Sequence, residues 1–182
     1  MKLSIVVFCA ILLTAAAVGV RAYRINNLPG DFQPSRQYNS AMMARAMYWL
    51  ADPSTPDWKQ QVARGQMEQV MRSEPPLMEA LSAKAYRLLG GERFWVPRSM
   101  SALAWLIGGI FLWLVAQRFL TAEASLFSVG FYLLAPFGIL LSRNFQADSL
   151  VVMGLLASAW ATYRYFEAPS AWRLVVGGVV GG

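Results

Sequence analysis

The sequence predicts an all-α fold, a multi-pass bundle of transmembrane helices with a helical external first loop, on three observations. Only 14% of the 182 residues are charged and 57% are apolar, whereas a soluble domain carries about 25% charged residues. Most of the charge falls within residues 21–98. Much of the remainder consists of apolar runs near the length of about 20 helical residues that crosses the hydrocarbon core of a bilayer. The composition therefore disfavours a soluble globule.

The first apolar run, residues 5–20, follows Lys2 and allows two interpretations. It is either a secretory signal that is cleaved after Ala22 or an uncleaved anchor. Arg21, one residue before Ala22, is unusual for a signal, and further apolar runs follow, so we favour the anchor. Residues 1–22 are accordingly predicted to form the first transmembrane helix. Under both interpretations, residue 23 onward leaves the cytoplasm.

The region 99–182 is predicted to contain the remaining spans. The runs 99–116 and 124–142 contain no Lys, Arg, Asp or Glu, and in the run 149–166 Arg164 stands near one end, where its long side chain can reach the interface. A last apolar run begins at Trp172 and holds 11 residues. This pattern predicts four spans and part of a fifth. We interpret the chain as an N-terminal fragment that is inactive alone.

The external segment 23–98 is predicted to form three helices rather than a linker. The first covers 36–50, Asp57 caps a more polar second helix, and the third runs between the proline pair 75–76 and the glycine pair 90–91. Their aromatic and methionine stripes are typical of helices that lie in the membrane interface. These helices either pack on the bundle or cover an external site, and the sequence leaves both open.

The orientation follows from basic residues in the short loops, which prefer the cytoplasm. With the N-terminus inside, the cytoplasmic segments carry Lys2, Arg118, Arg164 and Arg173, and the short external loop carries Arg143. The N-terminus is therefore predicted to be cytoplasmic. The net charge of +6 does not indicate a nucleic-acid partner, because most of the basic residues fall on the external side.

The cysteine and histidine content excludes several chemistries. Cys9 is the only cysteine of the chain, so no intrachain disulfide forms, and the chain has no histidine. Ser-His-Asp and Cys-His catalysis and ordinary histidine-bearing zinc sites are thereby excluded. Acid–base chemistry must rest on the ten acidic residues.

These acidic residues are concentrated on the predicted external side. Seven stand in the external segment, and Asp148 ends the short external loop 143–148. Asp148 is either an N-cap of the helix that follows or a functional carboxylate. The seven acidic residues of the external segment are Asp31, Asp52, Asp57, Glu68, Glu74, Glu79 and Glu92.

Four short segments carry a resemblance to a known class of enzymes. They are 31–38 (DFQPSRQY), 74–77 (EPPL), 98–103 (RSMSAL) and 143–148 (RNFQAD). In this order, after a first span, they resemble the N-terminal part of GT-C class membrane glycosyltransferases. This group includes the family 39 protein O-mannosyltransferases, the aminoarabinose transferases that modify lipid A, and related bacterial proteins. The resemblance covers essentially the whole chain, but each segment is short.

The resemblance implies sugar transfer from a polyprenyl-phosphate carrier to an acceptor hydroxyl, with inversion, at the external face of the bacterial inner membrane. Asp31 would be the catalytic base, and Asp148 would orient the acceptor or support a metal. Glu74 would bind sugar hydroxyls. An arginine would stabilise the leaving phosphate, although each candidate could equally contact lipid headgroups. The arginine candidates are Arg36, Arg98 and Arg143.

Two departures keep the substrate open. The related enzymes often have an Asp-Glu pair where Asp31 precedes Phe32, and a Lys or His where this chain has Glu74. The expected partners are a polyprenyl-phosphate-linked sugar, membrane lipids and an acceptor glycan, lipid or protein. No cofactor is predicted, and a divalent metal is not indicated. The alternatives are a non-enzymatic transporter component or assembly factor, and a signal peptide followed by a membrane-anchored sensor.

Overall fold

The computed structural model describes residues 3–30, 32–69 and 75–181, and these residues contain helices and no strand. Most of the described residues are helical, which confirms the predicted all-α class. The helices within the described ranges are α1 (Leu3–Ala22), α2 (Pro34–Leu50), α3 (Asp57–Gln69), α4 (Leu77–Leu89), α5 (Trp95–Ala116), α6 (Ala122–Leu134), α7 (Pro136–Ser142), α8 (Asp148–Glu167) and α9 (Ala171–Gly181).

The chain divides into two compact units. Unit 1 comprises Met1–Tyr23, Ala102–Ser142 and Asp148–Gly182, and unit 2 comprises Arg24–Ser101 and Arg143–Ala147. Unit 1 thus contains nearly all residues of the predicted spans, and unit 2 contains nearly all residues of the predicted external loops.

Two helices within the described residues are long and apolar enough to cross a membrane, judged by length and composition. They cover Ser4–Ala22 and Trp95–Ala116, and the bent pair α6–α7 makes a third if it is one span. These agree in position with the predicted runs 5–20, 99–116 and 124–142. Helix α8 covers the run 149–166 but is less apolar, so its assignment as a span stays a prediction.

The run 124–142 is not one straight helix. The chain bends by 56° between α6 and α7, and Ala135 at the break has an extended backbone with φ −57° and ψ 133°. Pro136 follows, and its ring disfavours the helical conformation for the residue before it. The proline also lacks the N–H that would continue the hydrogen-bond ladder. The apolar composition alone does not reveal this bend.

Unit 1 has a small core between α1, α5 and α6, formed by Ala17, Trp105 and Leu133. The Trp105 ring stacks on Tyr132 with 4.7 Å between ring centroids and 7° between planes. The indole Nε1 donates to the Tyr132 carbonyl at 3.2 Å, and the Tyr132 hydroxyl donates to the Trp105 carbonyl at 3.1 Å. This reciprocal pair fixes α5 against α6.

Gly138 of α7 provides the space for this ring pair. A Cβ at position 138 would lie 2.9 Å from Trp105 Cζ2 and 3.2 Å from the Tyr132 carbonyl oxygen. We expect Gly138→Ala to destabilise the protein by about 1–3 kcal/mol, because the rigid ring and backbone must shift. Gly154→Ala is the matched control, since a Cβ there has no neighbour within 4 Å. Thermal unfolding in detergent should show a lower Tm for the first variant only, and equal Tm values would contradict this packing.

Arg21 stands in the last turn of α1 and is buried, with 2% of its surface exposed. Its Nε donates to Ser142 Oγ at 2.8 Å, and its Nη1 donates to the Ala17 carbonyl at 3.0 Å. Helix α1 also contacts α6 and α7. Through these contacts α1 packs within unit 1. A helix packed in this way is consistent with an uncleaved anchor, and that interpretation stays a prediction.

Unit 2 is built on α2, which contacts both α3 and α4. Met43 of α2 and Met78 and Tyr86 of α4 are buried. Arg45 forms an ion pair with Glu92, with 2.7 Å between Nε and Oε2. Helix α4 ends where the sequence predicts, because Gly90 follows it in the left-handed conformation with φ 70°, which glycine adopts without steric cost.

The leucines of α4 face outward. Leu77, Leu81 and Leu88 are exposed, whereas Ser82, one position after Leu81, is buried. These leucines form an apolar side of α4, and this side is not the one that packs within unit 2. An exposed apolar helix side is typical of helices at a membrane interface, and this location of α4 stays a prediction.

Candidate active site

Two of the predicted site residues, Asp31 and Glu74, lie outside the residues that the structure describes. Their roles as base and sugar-binding residue stay predictions. The structure does describe the residues on both sides of Asp31, and it shows how that segment is held within unit 2.

The buried side chain of Gln37 joins two of the four sequence segments. Its Nε2 donates to the Phe32 carbonyl at 2.7 Å, and its Oε1 accepts from the Phe145 N–H at 3.3 Å. Gln37 is fully buried in the first turns of α2. Phe32 directly follows Asp31, and Phe145 stands in the loop that ends before Asp148. One carboxamide therefore connects the segment at residue 31 to loop 143–147.

A buried serine holds the same loop from α5. Ser101 Oγ lies 2.7 Å from the Asn144 carbonyl oxygen and 3.4 Å from the Gln146 carbonyl oxygen. Phe145 between them is buried and donates its N–H to Gln37. Loop 143–147 is thus fixed through its backbone by side chains from α2 and α5. A buried backbone that is paired in this way resists displacement.

Arg98 is buried and supports the segment that precedes residue 31. Its Nη1 donates to the Asn27 carbonyl at 3.0 Å and to the Ile25 carbonyl at 3.4 Å. The sequence predicts a substrate-phosphate role for Arg98, and 3% of its surface is exposed. These hydrogen bonds connect Arg98 to the backbone of residues 25–27. Its predicted role in phosphate binding stays a prediction.

The backbone around residue 31 contains unusual conformations. Arg24 and Gln33 have positive φ angles of 51° and 49°. Such angles are uncommon for non-glycine residues and persist where the surrounding structure determines them. Two sets of hydrogen bonds hold the backbone here. Gln37 donates to the Phe32 carbonyl, and Arg98 donates to the carbonyls of residues 25 and 27.

The other two predicted arginines differ in exposure. Arg36 is exposed at the start of α2, and its Nη1 donates to Gln33 Oε1 at 3.0 Å. Arg143 is half-buried at the beginning of loop 143–147. Both belong to unit 2, as does Arg98. A guanidinium can bind a phosphate through two parallel hydrogen bonds, and this role of the two arginines stays a prediction.

Asp148 belongs to unit 1 and stands in the first turn of α8. A carboxylate there interacts favourably with the positive end of the helix dipole. The sequence raised an N-cap as one alternative, whereas the helix begins at Asp148 itself, so that alternative stays a prediction. The other alternative, a contact with the acceptor or a metal, stays a prediction.

One tyrosine of unit 2, Tyr86, has a raised pKa. Burial raises the pKa of Tyr86 to about 12, with the nearby Glu92 carboxylate adding to the shift. Tyr86 packs edge-on against Tyr48, with 6.1 Å between ring centroids. It is neutral at physiological pH and is part of the packing between α2 and α4.

The described residues contain no group of three or more Cys, Asp and Glu that could hold a metal ion. Asp31 and Glu74 are not among the residues searched. The expectation that the protein uses no metal therefore stays a prediction.

Sequence reasoning did not single out Gln37, Ser101, Asn144 and Gln146. All four are polar and buried. Each stands inside one of the four segments of the resemblance, so the signal that could have found them was polar residues beside the acidic and basic ones. Their pairing joins positions as far as 108 residues apart, which a single sequence does not reveal.

Residues 73–182 match the dolichyl-phosphate-mannose-protein mannosyltransferase family. The match covers 110 of the 182 residues and includes the candidates Glu74, Arg98, Arg143 and Asp148. Asp31 and Arg36 precede it. No curated protein matches the chain, and no solved structure matches it.

The all-α fold with its apolar helices, together with this match, defines the class as a membrane glycosyltransferase. The chain belongs to the dolichyl-phosphate-mannose-protein mannosyltransferase family, and thus to the GT-C glycosyltransferases. This finding confirms the resemblance on which the sequence analysis relied. It favours an enzyme over the alternative of a transporter component or assembly factor.

Proposed function

We propose that the protein transfers a sugar from a polyprenyl-phosphate carrier to an acceptor hydroxyl at the external face of the cell membrane. Membership of the family supports the transfer of a lipid-linked sugar in general. The observation that supports the choice of particular residues is that Gln37 forms hydrogen bonds with both Phe32 and Phe145. It supports a common function for the segment at Asp31 and loop 143–147.

The reaction requires a base on one side of the sugar and charge stabilisation on the other. The Asp31 carboxylate takes the proton of the acceptor hydroxyl as its oxygen attacks the anomeric carbon. The bond from that carbon to the phosphate oxygen breaks, and polyprenyl phosphate leaves with the bonding electron pair. The configuration is inverted, and Asp31 later returns its proton to water.

Arginines of unit 2 stabilise the negative charge that develops on the leaving phosphate. Arg36, Arg98 and Arg143 are the candidates for this contact, and Arg98 also donates to the backbone carbonyls of Ile25 and Asn27. Hydrogen bonds from a guanidinium to a phosphate are charge-assisted and therefore strong. Glu74 binds sugar hydroxyls and Asp148 orients the acceptor in this proposal.

The external location rests on the distribution of basic residues. Four of the five basic residues outside the segment 21–98 fall on the predicted cytoplasmic side, as the positive-inside rule requires. The acidic residues of the proposed site then face outward, with a cytoplasmic N-terminus. The membrane in this proposal is the bacterial inner membrane.

A test of the donor class distinguishes this function from transfer out of a nucleotide sugar. Purified full-length protein in detergent should transfer sugar from a polyprenyl-phosphate donor to a hydroxyl acceptor, and a nucleotide sugar should give no product. Heat-inactivated protein is the control for spontaneous transfer. Product from the nucleotide sugar alone would contradict the proposal.

A further inference from the structure

Loop 143–147 contains two buried carboxamides whose polar atoms are not engaged. Asn144 has 0% and Gln146 has 3% of its surface exposed. Among the described residues, neither the Oδ1 and Nδ2 atoms of Asn144 nor the Oε1 and Nε2 atoms of Gln146 have a hydrogen-bond partner. Buried polar side-chain atoms usually have such a partner, so this concentration in one loop requires an explanation.

The backbone of the same loop is paired. Ser101 contacts the carbonyls of both residues, and Gln37 receives the N–H of Phe145 between them. The backbone of the loop is therefore fixed within unit 2, while its two amide side chains have no hydrogen-bond partner among the residues that the structure describes. A pre-arranged set of hydrogen-bonding groups on a fixed backbone is the arrangement expected of a binding site.

The chemistry of the two side chains limits what they bind. Each carboxamide carries an acceptor oxygen and an NH₂ group with two donor hydrogens, and neither is charged. A phosphate oxygen uses only the donors, and a metal cation uses only the acceptor. A hydroxyl group both donates and accepts, so neighbouring hydroxyls of a sugar ring can use all four atoms.

We propose that Asn144 and Gln146 bind hydroxyl groups of a sugar ring and determine which sugar is accepted. The inference rests on the proposed function and deepens it, because it assigns the selection of the sugar to residues other than the predicted base and arginines. The ring belongs either to the donor or to an acceptor glycan, which share this chemistry.

The test uses the full-length protein with donors and acceptors that each lack one hydroxyl. For the wild type, removal of the recognised hydroxyl should lower kcat/KM on the order of 10²-fold or more, because buried polar groups of the site are then left unpaired. Asn144→Leu and Gln146→Met, which keep approximate size and remove the amide, should reduce this discrimination at least tenfold.

The stability of the variants separates this role from a structural one. Replacing an unpaired buried polar group by an apolar group of similar shape is close to neutral or stabilising, so the Tm of each variant should equal or exceed that of the wild type. Gln61→Met at an exposed position of α3 is the matched control. It should alter neither the discrimination nor the Tm.

The series of deoxy compounds that responds identifies the source of the ring. Relaxed discrimination among deoxy donors assigns the carboxamides to the donor sugar, and relaxed discrimination among deoxy acceptors assigns them to the acceptor. If the wild type does not discriminate in either series, the inference is overturned even where no variant folds. Variants that leave the discrimination intact also overturn the inference. An ordered water molecule is then the hydrogen-bond partner of the two carboxamides.

Failure of the proposed function gives a different result. Wild-type protein that transfers no sugar from any lipid-linked donor refutes that function. Wild-type protein that transfers the unmodified sugar and tolerates every deoxy compound refutes only the role of Asn144 and Gln146.

Discussion

Replacing Asp31 by Asn in the full-length protein should lower kcat by about 10²- to 10⁴-fold, the usual contribution of a general base. The amide keeps the size of the carboxylate but does not take the acceptor proton. Because the substrates still bind, KM should change little. Initial rates of sugar transfer from a polyprenyl-phosphate donor, measured across acceptor concentrations, give both constants.

Two further variants distinguish a base from a structural residue at position 31. Asp31→Glu retains a carboxylate and should recover part of the lost rate. Glu68→Gln removes an exposed carboxylate from α3 and should leave the rate unchanged. An unchanged kcat in Asp31→Asn, with stability preserved, would refute the assignment of the base.

Replacing Gln37 by Leu should reduce transfer by about 10²-fold, comparable with the effect of misplacing reacting groups by about 1 Å. Leucine removes the hydrogen bonds to the Phe32 carbonyl and the Phe145 N–H, which are 2.7 and 3.3 Å long. A buried backbone group left unpaired costs about 1–3 kcal/mol. The segment at Asp31 and loop 143–147 should therefore both loosen.

Hydrogen exchange measured on the same variant tests the cause of its lost activity. The Phe145 amide should exchange faster in Gln37→Leu than in the wild type. Gln37→Glu keeps an acceptor for that amide but loses the donor to Phe32, so it should protect Phe145 and still transfer slowly. Gln61→Leu, at an exposed position of α3, serves as the control. Full activity in Gln37→Leu would contradict the proposed role of this contact.

Local chemistry explains why much of the fold could be predicted. The apolar run 5–20 became α1, and the glycine pair after residue 89 ended α4. The bend between α6 and α7 was missed, although Pro136 stood in the sequence. Hydropathy registers only how apolar a residue is, whereas the bend depends on the ring and the missing N–H of proline.

The candidate site could be predicted in its segments but not in its contacts. The four segments contain Gln37, Ser101 and Asn144, yet the sequence drew attention to their charged neighbours. What distinguishes these polar residues is their burial, which the sequence does not reveal. A neutral amide on the surface is common, whereas a buried amide usually has a hydrogen-bond partner. The contact from Gln37 to Phe145 is a product of tertiary folding and leaves no periodic pattern.

The side of α4 that packs was also hidden from the sequence. Leu77, Leu81 and Leu88 are its most apolar residues and are exposed, whereas Tyr86 is buried against α2. Apolar periodicity predicts that a helix has an apolar side. It does not distinguish protein from lipid as the partner of that side.

The most direct test of the account is sugar transfer in sealed vesicles that contain the full-length protein in one known orientation. A membrane-impermeant hydroxyl acceptor is supplied on the external side, and a polyprenyl-phosphate-linked sugar is present in the bilayer. We predict that product forms on this acceptor without any nucleotide sugar, and that Asp31→Asn abolishes it. Product that forms only when acceptor and nucleotide sugar are both on the cytoplasmic side would contradict the proposed donor and the proposed face.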